Sequence, residues 1–406
     1  MAAQPARRIS RVNDSTQMKL TGRIPELDGI RGTAIALVLF HHLFIFPLVP
    51  GSFLSRFVIP LRLSWTGVDL FFVLSGFLIG GILLDARKAP NYFQVFYSRR
   101  FFRIVPIYAA MLLIIPALAM VAGVLHLENY RWLGGNPLPW YSYWTFTQNF
   151  WMARTNVSGL MILVITWSLA IEEQFYLTPA CTNPISQQEV ADGRCGKRHT
   201  AGSKLRTLIF FFAPHYKNIA CYALMPCRMD ALLLGVLVAL LLRNERVCEI
   251  LHTRKRYLVF AFLLLIPGMG CLALRHSSSF SPVMQTVGYT WVALFYATVL
   301  LFVLTHQQSL LAAVFRNRGL RWLGELAYGV YLIHQTVLGF VMGPVWATPF
   351  ITSGGTLLGA IATLVLTLLI ASLSWRYFEL PLVRLGHRFN YRPEQNPAPI
   401  LIESAL

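Results

Sequence analysis

An arginine and a histidine stand eleven residues apart in a segment that otherwise has the composition of a membrane helix. Arg31 and His42 lie within the apolar run 27–42. Eleven α-helical steps end about 20° past three full turns, so both side chains share one face, roughly 16 Å apart along the axis. A histidine can take the proton of an attacking hydroxyl, and an arginine can hold a phosphate or a carbonyl. Because ionisable groups are costly inside a bilayer, the spacing indicates a functional pair.

The composition predicts a membrane protein that surrounds this pair with further helices. Of the 406 residues, 56% are hydrophobic and only 13% are charged. Long apolar segments recur along the chain, which predicts an all-α, polytopic transmembrane bundle of about ten helices. We expect spans at 32–50, 66–84, 104–125, 158–178, 257–274, 286–305, 322–342 and 356–378, with weaker ones at 207–224 and 229–242.

The net charge of +18 is distributed as a topology signal. Most Lys and Arg residues fall in alternate loops, so the positive-inside rule places both termini in the cytoplasm and the protein in the cell membrane. No groove of basic and stacking residues is apparent, and we expect no nucleic-acid partner. The six cysteines follow no framework spacing, so we expect no disulfide scaffold. Cys181, Cys195 and His199 fit no usual zinc site, and we expect no metal. We also expect no permanently bound cofactor.

Further polar residues lie in or beside the predicted spans, where lipid would not tolerate them without a partner or a cavity. In chain order these residues are Asp69, Ser75, Arg99, Arg100, Arg103, Ser168, Glu172, Glu173, Arg228, Asp230, Tyr331, His334, Arg376 and Glu379.

The segments that carry these residues resemble, in their order, the bacterial acyltransferase 3 family, which includes O-antigen acetylases. Beside the Arg31–His42 pair, the matching segments between residues 25 and 385 are GVDLFFVLSGFLI, RIVPIY with the arginines before it, WSLAIEEQFYL, RMDALLLG, YLIH and WRYFELPL. The resemblance implies about ten transmembrane helices. It also implies acyl-CoA, typically acetyl-CoA, as the donor on the cytoplasmic side, and a hydroxyl of a carbohydrate or lipid-linked glycan as the acceptor.

Both the residue chemistry and the resemblance make His42 the candidate catalytic base, although a histidine can also simply join two helices. Its neighbour His41 points about 100° away, which predicts packing or lipid contact. Arg31 is a candidate for binding the donor's phosphates or carbonyl, or else an interfacial anchor. The CoA phosphates suit a cluster of guanidiniums, although the positive-inside rule also accounts for these residues: Arg99, Arg100 and Arg103.

Glu172 and Glu173 can orient His42, bind the acceptor hydroxyl or pair with an arginine across the bundle. Ser75 is expected to allow close helix packing, because no base adjoins it in sequence. Arg376 and Glu379 are expected to form a local ion pair. The remaining candidates lie toward the acceptor side or bond neighbouring helices: Asp69, Arg228, Asp230, Tyr331 and His334.

One segment departs from the family pattern. Residues 178–206 are polar and lack periodicity, which predicts a loop or disorder inside a membrane domain of residues 25–385. Disordered cytoplasmic tails are predicted at 1–24 and 386–406. The departure leaves an inactive relative of the family as an alternative. A transporter of a small polar solute is another, although no inverted repeat supports it.

Overall fold

The computed structural model describes residues 24–48, 58–86, 89–127, 138–177, 194–213, 217–346, 351 and 353–392. The predicted tail 1–24, except for its last residue, lies outside these ranges, as do residues 178–193 of the atypical segment. The described residues are helical apart from turns, short connections and one isolated bridge between Leu48 and Ile351.

The described helices are numbered here in chain order. They are α1 Pro25–Phe40, α2 Gly67–Ala86, α3 Tyr92–Val124, α4 Trp140–Trp144, α5 Gln148–Thr155, α6 Thr166–Leu177, α7 Arg194–Phe212, α8 Lys217–Ala223, α9 Met225–Leu241, α10 Glu245–Thr253, α11 Arg256–Arg275, α12 Tyr289–Thr305, α13 Leu310–Phe315, α14 Arg318–Trp346, α15 Gly354–Ser374 and α16 Leu380–Gly386. Three π-helical turns continue or precede them, at His41–Ile45, Met284–Gly288 and Trp375–Glu379.

Within these ranges, eight helical segments are long and apolar enough to cross a bilayer, which confirms the all-α polytopic bundle. They are Pro25–Ile45, Ser64–Ala86, Tyr92–Val124, Asn218–Leu241, Arg256–Arg275, Met284–Thr305, Arg318–Gly343 and Gly354–Gly386. The end of the bundle at which α1 begins is called the arginine end here, and the end at which α1 stops is called the histidine end.

Small residues let the central helices approach closely enough to fix α1 and α2. On α2, a Cβ on Gly76 would lie 1.9 Å from the Leu232 carbonyl oxygen of α9, and one on Gly235 of α9 would lie 2.0 Å from the Val73 oxygen. Gly32 approaches α14 in the same way, since a Cβ there would lie 1.8 Å from the Leu320 oxygen. Helix packing in a bilayer relies on such small residues, and here they hold the arginine and the histidine of α1 in a fixed register.

The span expected at 158–178 is wrong, because only α6 is helical and its 12 residues are too short to cross a bilayer. Consecutive three-residue turns precede it, with Leu163 N bonded to the Leu160 oxygen and Thr166 N to the Leu163 oxygen. Gly159 has a φ of +79°, which a helix does not accommodate. The unwound backbone leaves the Ile165 carbonyl accessible to side chains at the centre of the bundle.

The loop expected through residue 206 is also wrong from Arg194 onward, where α7 begins. Arg206 of α7 is fully buried and pairs with Asp230 of α9, with Nη1 3.0 Å from Oδ2. Its Nε donates to the Gln285 oxygen at 3.1 Å, and its Nη2 donates to Thr290 Oγ1 at 2.7 Å. At least one cation of this polar segment therefore serves to neutralise a buried carboxylate.

The disordered C-terminal tail expected at 386–406 is wrong for residues up to 392, which pack against the start of α3. Residues 393–406 lie outside the described ranges. Arg99 donates from Nε to the Phe389 oxygen at 2.9 Å and from Nη2 to Asn390 Oδ1 at 3.2 Å. Asn91 accepts from the Arg392 backbone N–H at 2.9 Å. Arg99 therefore anchors this segment, and it lines neither of the two cavities described below.

Replacing Arg206 with Met should destabilise the bundle markedly, since Asp230 would lose its buried cation. Loss of one partner of a buried pair typically costs about 3–5 kcal/mol. The melting temperature of the detergent-solubilised protein, followed by size-exclusion chromatography after heating, measures this loss. Lys204→Met is the matched control, because Lys204 is exposed on the same helix. Equal melting temperatures for the two variants would contradict a structural role for α7.

Candidate active site

Two cavities meet inside the bundle. The arginine cavity occupies about 870 Å³, open mouth included, and its charged lining residues are Arg31, Arg100, Arg103 and Glu172. The histidine cavity is larger, and its polar and aromatic lining residues include His41, His42, Arg62, Trp65, Trp167, Tyr222, Phe280, Tyr331 and Gln335. The predicted Arg31–His42 pair thus joins two cavities, with one residue of the pair in each.

The arginine cavity contains more positive charge than its own carboxylate can neutralise. Arg31 bonds Asp28 at 3.3 Å. Arg100 is 9% exposed, and its guanidinium lies 4.0 Å from the centre of the Tyr176 ring, with Nε lacking a hydrogen bond. Arg103 has no ion pair or hydrogen bond within the described part of the chain. Two guanidiniums that face a cavity and form no salt bridge with a carboxylate of the described residues favour an anionic ligand.

Glu172 lies in the arginine cavity and does not contact His42, so the geometry does not support its expected role in orienting that base. Its Oε1 accepts from Ser75 Oγ at 2.8 Å, and its Oε2 accepts from the Tyr176 hydroxyl at 3.0 Å. Ser75, expected only to allow close packing, therefore has a polar partner on another helix. Glu173 does not line either cavity, and its Oε1 has no hydrogen-bond partner among the described residues.

The partner of His42 is a second histidine on α14. His334 Nδ1 lies 2.7 Å from the Tyr331 oxygen and 3.2 Å from the Val330 oxygen, so it carries a proton. In the uncharged ring, Nε2 is then an acceptor, and it lies 3.3 Å from His42 Nδ1. His42 Nδ1 also lies 3.0 Å from the Val38 oxygen.

These acceptors fix the tautomer of His42. Its Nδ1 faces only acceptors, namely the Val38 oxygen and His334 Nε2, and therefore carries the proton. The lone pair is then on Nε2, for which no hydrogen bond is found among the described residues, and the residue lines the histidine cavity. A ring nitrogen held proton-free and facing a cavity is suited to act as a general base.

His41 also lines the histidine cavity, which corrects the expectation that it faces packing or lipid. The π-helical turn at His41–Ile45, closed by the Phe46 N–H on the His41 oxygen at 2.8 Å, changes the angle between successive side chains. The two imidazoles are 5.3 Å apart, centre to centre. The two imidazoles of this turn thus face the same cavity.

Three substrate-side candidates lie behind the cavity lining. Asp69 and Arg228 are each 1% exposed and form an ion pair with each other, whereas Asp230 pairs with Arg206. The Arg228 guanidinium lies 3.8 Å from the centre of the Tyr289 ring and 5.8 Å from that of Tyr222. This network supports the aromatic wall of the histidine cavity from behind and does not reach the cavity itself.

The local pair expected between Arg376 and Glu379 is also not found. Arg376 is partly exposed, with its guanidinium 5.6 Å from the Tyr377 ring centre. Glu379 is buried, and it accepts a hydrogen bond from Ser374 at 3.0 Å. The π-helical turn at Trp375–Glu379 separates the two side chains.

The aromatic residues of the histidine cavity were not predicted from the sequence. Trp167 and Tyr222 pack at 4.3 Å between ring centres, Tyr222 and Phe280 at 5.7 Å, and Trp65 donates to the Ser277 oxygen at 2.9 Å. Aromatic residues are common in membrane helices, so only the positions of Trp167 and Trp65 within polar motifs could have indicated them.

Residues 24–187 match a family model described as an acyltransferase domain. The chain is 27% identical over 375 residues to a peptidoglycan O-acetyltransferase of Listeria monocytogenes, which covers 89% of this chain and 56% of the relative. It is 28% identical over 386 residues to a putative peptidoglycan O-acetyltransferase of Bacillus subtilis, and this match covers 90% of this chain and 56% of the relative.

A putative O-acetyltransferase of Staphylococcus aureus is 25% identical over 412 residues, covering 96% of this chain and 62% of the relative. The chain thus spans somewhat more than half the length of the curated relatives it matches. No solved structure matches it significantly.

Inorganic pyrophosphate should stabilise the protein by binding the guanidiniums of the arginine cavity. At one hundred times its dissociation constant, a ligand adds about 2.7 kcal/mol of stability, which raises the melting temperature. We expect this rise in the wild type and in Arg99→Met, whose guanidinium is occupied elsewhere, and no rise in Arg100→Met. The adjacent arginines are a matched pair, and equal rises in both variants would contradict anion binding at Arg100.

Proposed function

Since the chain carries a domain of this acyltransferase family, we propose that it transfers an acyl group, acetyl in the simplest case, from acyl-CoA to a hydroxyl of a carbohydrate or other cell-envelope acceptor. The observation that carries the proposal is the proton-free Nε2 of His42, which faces a cavity adjoining a second cavity lined by arginines. His42 supplies a base in the histidine cavity, and the arginine cavity suits a polyanionic donor.

The donor is assigned to the arginine cavity. CoA carries a pyrophosphate and a 3′-phosphate, and Arg31, Arg100 and Arg103 offer guanidiniums to them. The basic loops of the sequence favour the cytoplasm at this end, together with both termini, in a multi-pass protein of the cell membrane. Cytoplasmic acyl-CoA would then enter directly from its own compartment.

The acceptor is assigned to the histidine cavity. Its hydroxyl would lie beside His42 Nε2, which removes the proton as the oxygen attacks the thioester carbonyl carbon. The tetrahedral intermediate then collapses: the carbon–sulfur bond breaks, and the protonated imidazole returns the proton to the leaving thiolate. The names of the relatives support a glycan acceptor, and the Trp167 and Tyr222 rings provide apolar faces for a ring-shaped ligand.

His334 has a positioning role in this proposal. It holds the proton of His42 on Nδ1 and so keeps Nε2 available, in the way that a buried partner orients the base of a hydrolase. Because the Val38 oxygen shares that task at 3.0 Å, His42 keeps one orienting contact without His334.

Replacing His42 with Ala should abolish acyl transfer, because a general base contributes about 10²–10⁴-fold to the rate. Mass spectrometry of envelope glycans would compare cells carrying the wild type, His42→Ala or no gene, and we expect the mutant to match the deletion. The control is His252→Ala, which removes an exposed histidine from α10. An unchanged acyl pattern in His42→Ala would remove this residue from the mechanism.

Replacing His334 with Ala should lower the transfer rate less than His42→Ala does, since the Val38 contact persists. His334→Gln can still accept a hydrogen bond at the same place and should recover part of the rate. The measurement is the transfer rate at saturating donor, which should be higher for His334→Gln than for His334→Ala. We expect the Michaelis constant for the donor to be unchanged in both variants. A loss in His334→Ala equal to that of His42→Ala, without recovery in Gln, would contradict a positioning role.

A further inference from the structure

Gln335 on α14 has a buried side-chain amide that the rest of the described chain does not bind. The residue is 5% exposed and lines the histidine cavity. Neither its Oε1 nor its Nε2 forms a hydrogen bond within the described ranges, yet neither atom is fully enclosed by protein. The amide therefore borders the cavity. Because buried polar groups are nearly always hydrogen-bonded, its partner must come from that cavity, as water or as a ligand.

The other buried or half-buried glutamines of the described chain use their amides to hold the fold. Gln148 donates from Nε2 to a backbone oxygen at 2.9 Å, Gln174 does so at 2.7 Å, and Gln285 at 3.0 Å. Each of these bonds joins residues that are distant in the sequence. Gln335 makes no such bond to a described residue, so support of the fold does not account for its amide.

Gln335 lies on the face of α14 that borders the histidine cavity, directly after the partner of the candidate base. Tyr331, Gln335 and Leu338 follow one another at helical spacing, and all three line this cavity. The preceding residue is His334, whose Nε2 lies 3.3 Å from His42 Nδ1. The hydroxyl of Tyr331 donates to a backbone oxygen at 2.9 Å and is engaged with the protein, whereas the amide of Gln335 is available to a ligand.

The size of the histidine cavity makes such a contact useful. The cavity occupies about 2410 Å³, open mouth included, against about 870 Å³ for the arginine cavity. A general base contacts only the hydroxyl that it deprotonates, so His42 alone does not orient an acceptor in this space. Orientation of the reacting groups contributes strongly to rate. The Trp167 and Tyr222 rings offer apolar contact, and Gln335 adds a directional hydrogen bond.

We propose that Gln335 binds the acceptor through a hydrogen bond to a polar group other than the hydroxyl that is acylated. The inference rests on the proposed function, in which the acceptor occupies the histidine cavity beside His42. A primary amide donates from Nε2 and accepts at Oε1, so it suits a group that does both, as a second hydroxyl of a sugar does. The cavity then favours polyhydroxylated acceptors over simple alcohols.

The test measures acyl transfer by the full-length chain in lipid nanodiscs, where both faces of the bilayer are accessible. Acetyl-CoA is the donor, and envelope glycan extracted from cells that lack the gene is the acceptor probe. Gln335→Met replaces the amide with an apolar side chain of similar length. We expect the Michaelis constant for the glycan to rise about fivefold or more, which corresponds to one lost hydrogen bond, and that for acetyl-CoA to stay unchanged.

Further measurements separate acceptor binding from a structural role. Gln335→Asn keeps the amide on a side chain one methylene shorter and should recover part of the affinity for the glycan. The matched control is Leu338→Met, which changes an apolar residue on the same helix and the same cavity wall and should leave both constants unchanged. The melting temperature of Gln335→Met should not fall, because no described group of the protein loses a hydrogen bond.

The outcomes distinguish this inference from the proposed function. If the wild type transfers acetyl groups and Gln335→Met keeps the wild-type constant for the glycan, the inference is refuted and the proposed function stands. A lower melting temperature with both constants changed would give Gln335 a structural role and refute the inference as well. If the wild type transfers no more than His42→Ala, the proposed function fails, and the inference fails with it. A change confined to the glycan constant supports both.

Discussion

The bilayer offers no water to polar groups, and this constraint determines how the side chains of the bundle are arranged. Each buried polar group must find its partner in the protein or face a cavity that water or a ligand can enter. Arg228 pairs with Asp69, and Arg206 pairs with Asp230, so these buried groups have partners within the protein. Arg100 and Nε2 of His42 instead face cavities. These two groups define the site.

The sequence carried enough information for the fold class and for the position of the candidate base. Apolar segments of sufficient length predicted the bundle, and the spacing of Arg31 and His42 placed both on the inner side of α1. These features are local, since helix length and helix face follow from consecutive residues. Prediction failed at 158–178, where apolar composition suggested a span but Gly159 and the turns after it interrupt the helix.

The sequence could not separate structural from functional charges, because that distinction depends on contacts between distant residues. Arg99 and Arg100 are adjacent and chemically identical, yet one bonds residues 389 and 390 and the other faces a cavity. In the same way, Arg206 lies in a segment of polar composition and completes the environment of Asp230. His334 became the partner of His42 only when α1 and α14 were brought together by their small residues.

The π-helical turns have a consequence for how this fold can vary. Each of the three in the described ranges contains a polar residue directed into the protein, namely His42, Gln285 and Glu379. Such a turn holds one residue more than the α-helical turn it replaces. Deleting one residue at His41–Ile45 would therefore restore a regular helix and leave the chain on either side in register, but it would change the directions of the side chains within the turn, His42 among them. At these turns the direction of a polar residue thus depends on a single inserted residue, which hydropathy alone does not reveal.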